Sequence, residues 1–226
     1  MLAPSIAYET SLVLAIIFES PRQVTAIVPH LVPGLYLACP AAIAQRLPII
    51  LLSLLHYMIA EYPSQRSFRR HIDTLPTKLL PIDADSRQWV LHVAACLRTR
   101  NYTKFERLTR PAAYREYCGS SADAPGDDGS IQGPSAERAF YVLVDALRVK
   151  ARGAAWMVIR SAYRELSCPA DYDWTRAWLI RSLALESVVP GAREASLDEW
   201  LEAESKLDHV RRKEGVEGRW VVCKAR

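Results

Sequence analysis

Asp85-Ser-Arg-Gln-Trp-Val-Leu-His-Val-Ala-Ala-Cys-Leu-Arg-Thr-Arg-Asn-Tyr-Thr-Lys-Phe105 is the stretch from which the rest of this chain can be placed. It has the marks of a helix with a start and a stop. Asp85 or Ser86 can accept hydrogen bonds from the first free backbone N–H groups, and Gln88 stands three residues after Asp85, as in a capping box. Trp89, Val93, Cys96 and Leu97 recur at helical spacing and form one apolar stripe, with Arg87, Arg98 and Arg100 off it. That face must be buried. Asn101 tolerates the left-handed conformation that ends helices, and Tyr102 and Phe105 open a second amphipathic segment expected to reach Tyr117. The two helices and their aromatic corner make the usual unit of a stacked helical array.

Composition supports a folded protein. The 226 residues are 50% hydrophobic, ample for one large or two small cores. Cys39, Cys96, Cys118, Cys168 and Cys223 are far apart and mostly set in apolar helical patterns, which suits buried thiols in a reducing compartment. The longest apolar run, Leu47 to Ala60, contains Pro48 and His56 and falls short of the roughly 20 residues a spanning helix needs, so no membrane partner is expected. Met1 leads into Leu-Ala-Pro-Ser without a basic segment, which argues against a cleaved secretory signal. Nucleus or cytoplasm is the expected location. A net charge of +4 and a pI near 8.8 permit contact with a polyanion without demanding it.

Taken in order, the chain is expected to be helical from Ile6 to Phe18, with Ser20 capping and Pro21 opening the next helix through Val24, Ile27, Val28 and Leu31 before Pro33-Gly34 breaks it. Pro40 is expected to start a short helix. Pro48 opens a stronger one through Ile59, apolar nearly all round and therefore central. Ser64 can cap a short helix carrying Arg66, Phe68, Arg69, Arg70 and His71, and Pro76 and Pro81 mark the loop to the organising pair. These are antiparallel helices with short connections. Residues 119–135, rich in Gly, Ser, Asp and Pro, cannot bury enough apolar area to offset ordering and are expected to be a mobile loop. Helical periodicity resumes at Phe140, Leu143, Val144 and Leu147, and again at Ala155, Val158, Ile159, Ala162 and Leu166. Gly153 marks either a turn between two helices or a kink in one long helix.

The last fifty-odd residues follow a different plan. Asp171 to Leu185 is expected to be a helix with Trp174, Trp178, Leu179 and Leu183 inward. Ser196-Leu-Asp-Glu199 is a capping box opening another with Leu197, Trp200 and Leu201. Val210 to Lys224 has two β-prone ends around Gly215 and Gly218, a hairpin signal. Two helices and then a two-stranded wing is the order of a winged helix. The expected fold is mostly α, with stacked antiparallel helical repeats over 1–168 followed by a winged-helix subdomain over 169–226.

A helical array flowing into a winged helix is the plan of the PCI module of multi-subunit assemblies. Within it, Asn101-Tyr102-Thr-Lys-Phe105-Glu-Arg-Leu108 resembles the Asn/Asp-Tyr turn and following aromatics of the Sac-three/GANP family, and Arg152-Gly-Ala-Ala-Trp156 through Arg160-Ser-Ala-Tyr163 is similar to that family's Arg-x-x-Ala-Leu helix ending in Ala-Tyr. The resemblance covers the chain from about Leu51 onward. It departs at Arg100, where a small residue is common, at Thr103-Lys104-Phe105, which lacks a paired aromatic, and at the Gly119 to Ser135 stretch. The long terminal regions of the large scaffolds are also missing, as in a short paralogue or one part of the machine. The resemblance implies a non-enzymatic scaffold of nuclear mRNA export, associated with the nuclear pore. It would pair with a second PCI-domain protein and a small acidic subunit, and the joined winged helices would form a basic platform for RNA or single-stranded nucleic acid. The alternative is a purely structural subunit of a proteasome-lid-like or signalosome-like assembly.

The residues themselves offer little catalytic chemistry. His30, His56, His71, His92 and His209 form no HExxH or HxH, and there is no GxSxG, P-loop or cofactor cradle. No metal, cofactor or small-molecule substrate is expected. Asp127-Asp128 read as a solvated pair, and His56 and His92 as helix residues with a satisfied nitrogen. Cations are the better lead. Arg100 and Lys104 stand at the organising corner beside Arg98, Arg107 and Arg110, while Arg148, Lys150 and Arg152 lie near Gly153. Arg211, Arg212 and Lys213 approach the wing, where Trp220 can either stack on a base beside them or pack inward. Arg100, Lys104, Arg148, Lys150, Arg152, Arg211, Arg212 and Lys213 are the candidate nucleic-acid contacts. Trp200, Trp220 and Val221 are the candidate partner contacts.

Overall fold

The most apolar segment takes the centre of the molecule. In a computed structural model that describes residues 4–38, 46–119, 132–169, 173–192 and 196–224, helix α4 (Leu47–Ala60) buries Pro48 through His56 and Met58. Pro48 suits its first turn, where no backbone donor is lost. Against it pack α5 (Arg66–Thr74), α6 (Asp85–Arg98) and the 31-residue α8 (Gln132–Ala162), while α1 (Pro4–Ile17) packs on α8 and on α2 (Pro21–Pro29), and α7 (Tyr102–Leu108) packs on α6. Pro21 opens α2, but Ser20 makes no side-chain cap. The chain then turns through His30–Leu35, where Val32 is extended (φ −124, ψ 116), into the short α3 (Tyr36–Ala38). The Tyr36 hydroxyl donates to buried Glu9 Oε1 at 2.9 Å, and the Arg46 guanidinium lies 4.5 Å from the Tyr36 ring centre. The helix expected from Pro40 lies outside the described residues.

The organising pair forms, with its signals shifted. Ala84 occupies the N-cap of α6 without a side-chain cap, Asp85 sits in the first turn, and Gln88 Nε2 donates to Ile82 O at 3.0 Å. Arg100 (φ 58), not Asn101, takes the left-handed position. Asn101 instead starts α7, its side chain accepting from Lys104 N at 3.1 Å. One residue cannot take both positions, and the helix start gives the Asn101 side chain a free backbone donor to cap. α7 stops at Leu108, ahead of Pro111, and 3₁₀ turns Pro111–Ala113 and Arg115–Cys118 carry the chain on. Trp89 Nε1 donates to Leu108 O at 2.9 Å and so closes the pair. At α5, Ser64 does not reach the expected cap position, which Gln65 holds, while Ser64 Oγ accepts from Arg66 N at 3.3 Å.

Helix α8 is uninterrupted at Gly153, where an added Cβ would meet no atom within 4 Å. Residues 132–135, expected in the mobile loop, belong to this helix. Leu166 does not: it lies in strand β1 (Glu165–Ser167). Then come α9 (Asp173–Ser182), α10 (Leu197–Lys206), β2 (Val210–Arg212) and β3 (Arg219–Val222), the sheet running β1-β3-β2 with both pairings antiparallel. The Ser196 capping box is complete, with both reciprocal hydrogen bonds at 3.1 Å. Gly218 (φ 70) admits no side chain, because a Cβ would stand 2.4 Å from Pro169 Cα. Trp174, expected inward, is 73% exposed, while Leu179 and Leu183 are fully buried.

Two apolar cores share α8. One runs from α1 through Ala151, and the other takes Ala155, Trp156 and Ile159 from α8 together with Leu166, Leu179, Leu201 and Trp220. The second core therefore reaches back across the expected division between residues 168 and 169. Arg148 sits at this handover, 1% exposed. Its Nη1 donates to Thr109 Oγ1 at 2.8 Å, its Nη2 donates to Glu186 O at 3.0 Å, and buried Glu106 lies 3.7 Å away. Removing one member of such a pair strands the other, so Glu106→Ala is expected to lower unfolding stability by about 3 kcal/mol. Adding Arg148→Met should restore part of the loss, measured by urea unfolding.

Candidate functional site

The end of α8, the start of α5 and the corner between α6 and α7 line an open groove of about 960 Å³. On one side stand Arg66 and Arg69 from α5 and Arg98 and Arg100 from the corner after α6. On the other lie Ala154, Met157, Val158, Ser161 and Ala162 from the last turns of α8. The local sequence explains the cationic wall. Phe68 and Ile72 turn one face of α5 inward, leaving Arg66 and Arg69, three apart, on the outer face. Gln65 Nε2 donates to Ala94 O at 2.7 Å and ties α5 to α6. Arg98 ends α6, and the left-handed turn at Arg100 aims that residue outward as well. None of the four forms an ion pair among the described residues, and no carboxylate lines the groove. Tyr62 and Tyr102 also line the groove, and burial pushes both phenols above their ordinary range.

Other cations singled out in the sequence have structural work. Arg148 is enclosed as described, and burial pulls its guanidinium pKa down. Arg152 donates to Leu183 O at 3.0 Å and Ala184 O at 2.7 Å, covering free carbonyls just beyond α9. Lys150 Nζ reaches Ile59 O at 2.8 Å near the end of α4. Lys104 stays exposed on α7. The hairpin cations are each matched by an acid: Arg211 with Asp208 at 3.2 Å, Arg212 with Glu202, and Lys213 with Glu165 at 2.8 Å. Arg212 also covers the Trp220 ring, 5.2 Å from its centre. Trp220 itself is 3% exposed and packs inward, so its face is not open to a base. Trp200 is half-buried and meets Trp156 edge-on at 4.6 Å, while Val221 is exposed on the outer sheet face between Glu165 and Arg211. Counting charges along the sequence found Arg100 but passed over Arg66 and Arg69. Their helical spacing opposite Phe68 and Ile72 is the signal that marks them as a shared outward face.

Among the described residues no three His, Cys, Asp or Glu side chains come together as a metal site, and no helix is long and apolar enough to cross a membrane. Asp127 and Asp128 lie outside the described residues, as does Cys39. Comparison with protein-family models gives no match, and comparison with curated proteins finds no significant similarity.

Two buried histidines stiffen the array near this site. Thr25 donates to Pro21 O at 2.9 Å, so its oxygen is free to accept from His56 Nε2 at 3.0 Å. Ser53 likewise donates to Ile50 O at 2.7 Å and accepts from His71 Nε2 at 2.9 Å. His92, by contrast, is exposed on α6. Burial lowers the His71 pKa to about 4, with His56 adding to the shift. The unfolded chain binds that proton more readily, with a pKa near 6.5, so the stability held by neutral His71 is complete above that value and is lost as pH falls through it toward 4. Between pH 7 and 5 the protein is expected to lose about 2 kcal/mol through this residue. Urea midpoints across that range should fall less steeply for His71→Gln.

Proposed function

We propose that this chain is a non-enzymatic scaffold of the PCI kind, resembling the Sac-three/GANP family. It pairs with a second PCI-domain protein and a small acidic subunit in nuclear mRNA export, in the nucleus and at the nuclear pore. One observation carries the reading. The second half of α8, β1, α9, α10 and the β2–β3 hairpin follow one another in the helix-strand-helix-helix-hairpin order of a winged helix, with the β1-β3-β2 strand order of that design, and the module grows from the helical array without a break in the connecting helix. Val221 on the outer sheet face, the outer edge of β1 and the half-buried Trp200 on α10 are the proposed contacts for the second PCI subunit, since an open sheet edge and an exposed β-branched residue gain from burial.

In this reading nucleic acid binds the joined subunits through Arg211, Arg212 and Lys213, with affinity that falls steeply with salt. A purely structural subunit, as in lid-like or signalosome-like assemblies, is favoured by the acids already paired with those cations. Changing all three to Glu separates the two: loss of RNA from an intact complex supports the platform, and unchanged RNA content supports the structural subunit. Affinity purification of the tagged protein at moderate salt should recover a second PCI protein, a small acidic subunit and export factors. Val221→Arg is expected to release the second PCI protein at least about tenfold, a loss of roughly 1.4 kcal/mol, without lowering the unfolding temperature of the free chain. Recovery of lid or signalosome subunits, or of no PCI partner, overturns the export reading.

A further inference from the structure

The groove between the arginine wall and the end of α8 is a surface separate from the C-terminal sheet. Four guanidinium groups face one concavity that no carboxylate lines. Like charges gathered on one surface repel, and an anionic occupant removes that cost. Guanidinium forks match carboxylates by paired hydrogen bonds.

The opposite wall says what else the occupant carries. Ala154, Met157, Val158, Ser161 and Ala162 stand at i, i+3, i+4, i+7 and i+8, one continuous helical stripe. Met157 is 48% exposed. Ser161 Oγ donates to Met157 O at 2.8 Å, so its hydroxyl proton is already used within α8. The stripe is therefore small, adaptable and largely apolar, a surface against which a second helix can approach closely. It extends about 12 Å along α8, the length of roughly two helical turns. A nucleic acid strand fits less well. The two aromatic rings of the lining, Tyr62 and Tyr102, are half-buried, and the wall facing the arginines has no cation.

We propose that this groove docks an amphipathic helix of another protein, with Asp and Glu along the side facing Arg66, Arg69, Arg98 and Arg100 and small or branched aliphatic side chains along the side facing α8. The site stands on its own geometry: a chain that failed every test of the export reading would still carry it.

The test uses the full chain and two fluorescein-labelled probes followed by anisotropy. One is an amidated peptide of about 16 residues, long enough to hold helix, with Glu on one helical face and Leu and Ala on the other. The other is an oligouridylate RNA. The peptide is expected to bind saturably, and the Arg69→Glu, Arg98→Glu double variant to weaken it at least about tenfold. Met157→Glu should weaken it severalfold as well, because that change strikes only the apolar side. All three positions are exposed, and an unchanged unfolding midpoint shows that the variants fold. Three results overturn the proposal: no binding of the peptide, peptide binding that ignores either variant, or RNA bound more tightly than peptide and lost in the double arginine variant but not with Met157→Glu. The last result would make the groove a nucleic-acid site.

Discussion

Arg148 is the constraint on which the arrangement depends. A buried guanidinium costs several kcal/mol in lost hydration, and that cost is offset only when opposite charge and acceptors surround it. Here Glu106 and Thr109 come from the end of the organising pair and Glu186 O from the segment after α9, so supplying the two terminal nitrogens of one side chain brings three distant parts of the chain together. Two further arginines continue the row along α8. Arg152 takes the carbonyls of Leu183 and Ala184, and Arg160 Nε donates to Cys223 O at 3.0 Å, just past the last strand. Spaced four and eight residues apart, they lie along one side of the helix.

That row explains how one helix serves two cores. Its N-terminal half closes the array against α1 and α4, and its C-terminal half seats Trp156 and Ile159 against α9, α10 and the sheet. Tyr102, at the corner, touches both cores. Once one face of α8 is committed to the C-terminal module, the stripe from Ala154 to Ala162 faces the corner arginines across open space. The groove is thus a consequence of how the spine is shared, and its two walls belong to segments more than fifty residues apart.

Much of the scaffold was legible because it depends on local rules. The uniform apolarity of Leu47 to Ala60 announced a central helix, and the Ser196 capping box formed as written. The β2–β3 hairpin formed around its two glycines. Misreadings cluster where two local signals compete or a distant partner decides. Asn101 suits a helix end and a helix start equally, and the start won because its side chain finds Lys104 N. Leu166 fits the α8 period, yet β3 offers it a strand partner in Trp220. Trp174 fits the inward face of α9 by spacing, but the inward positions are filled by Leu179 and Leu183.

The candidate site divides along the same line. Residue type and spacing by themselves determined that the corner after α6 would be basic and aromatic, that α8 would be amphipathic, and that the chain would end in helices and a hairpin, because each follows from periodicity and turn chemistry within a few residues. Only the tertiary structure decided which arginines are structural and which are free. Arg148 and Arg100 are the same side chain in similarly basic surroundings. One is enclosed by elements 38 or more residues away that supply its acceptors, and the other is lifted into solvent by a left-handed turn. Burial of a charge depends on acceptors brought by distant segments, and no local pattern encodes their arrival.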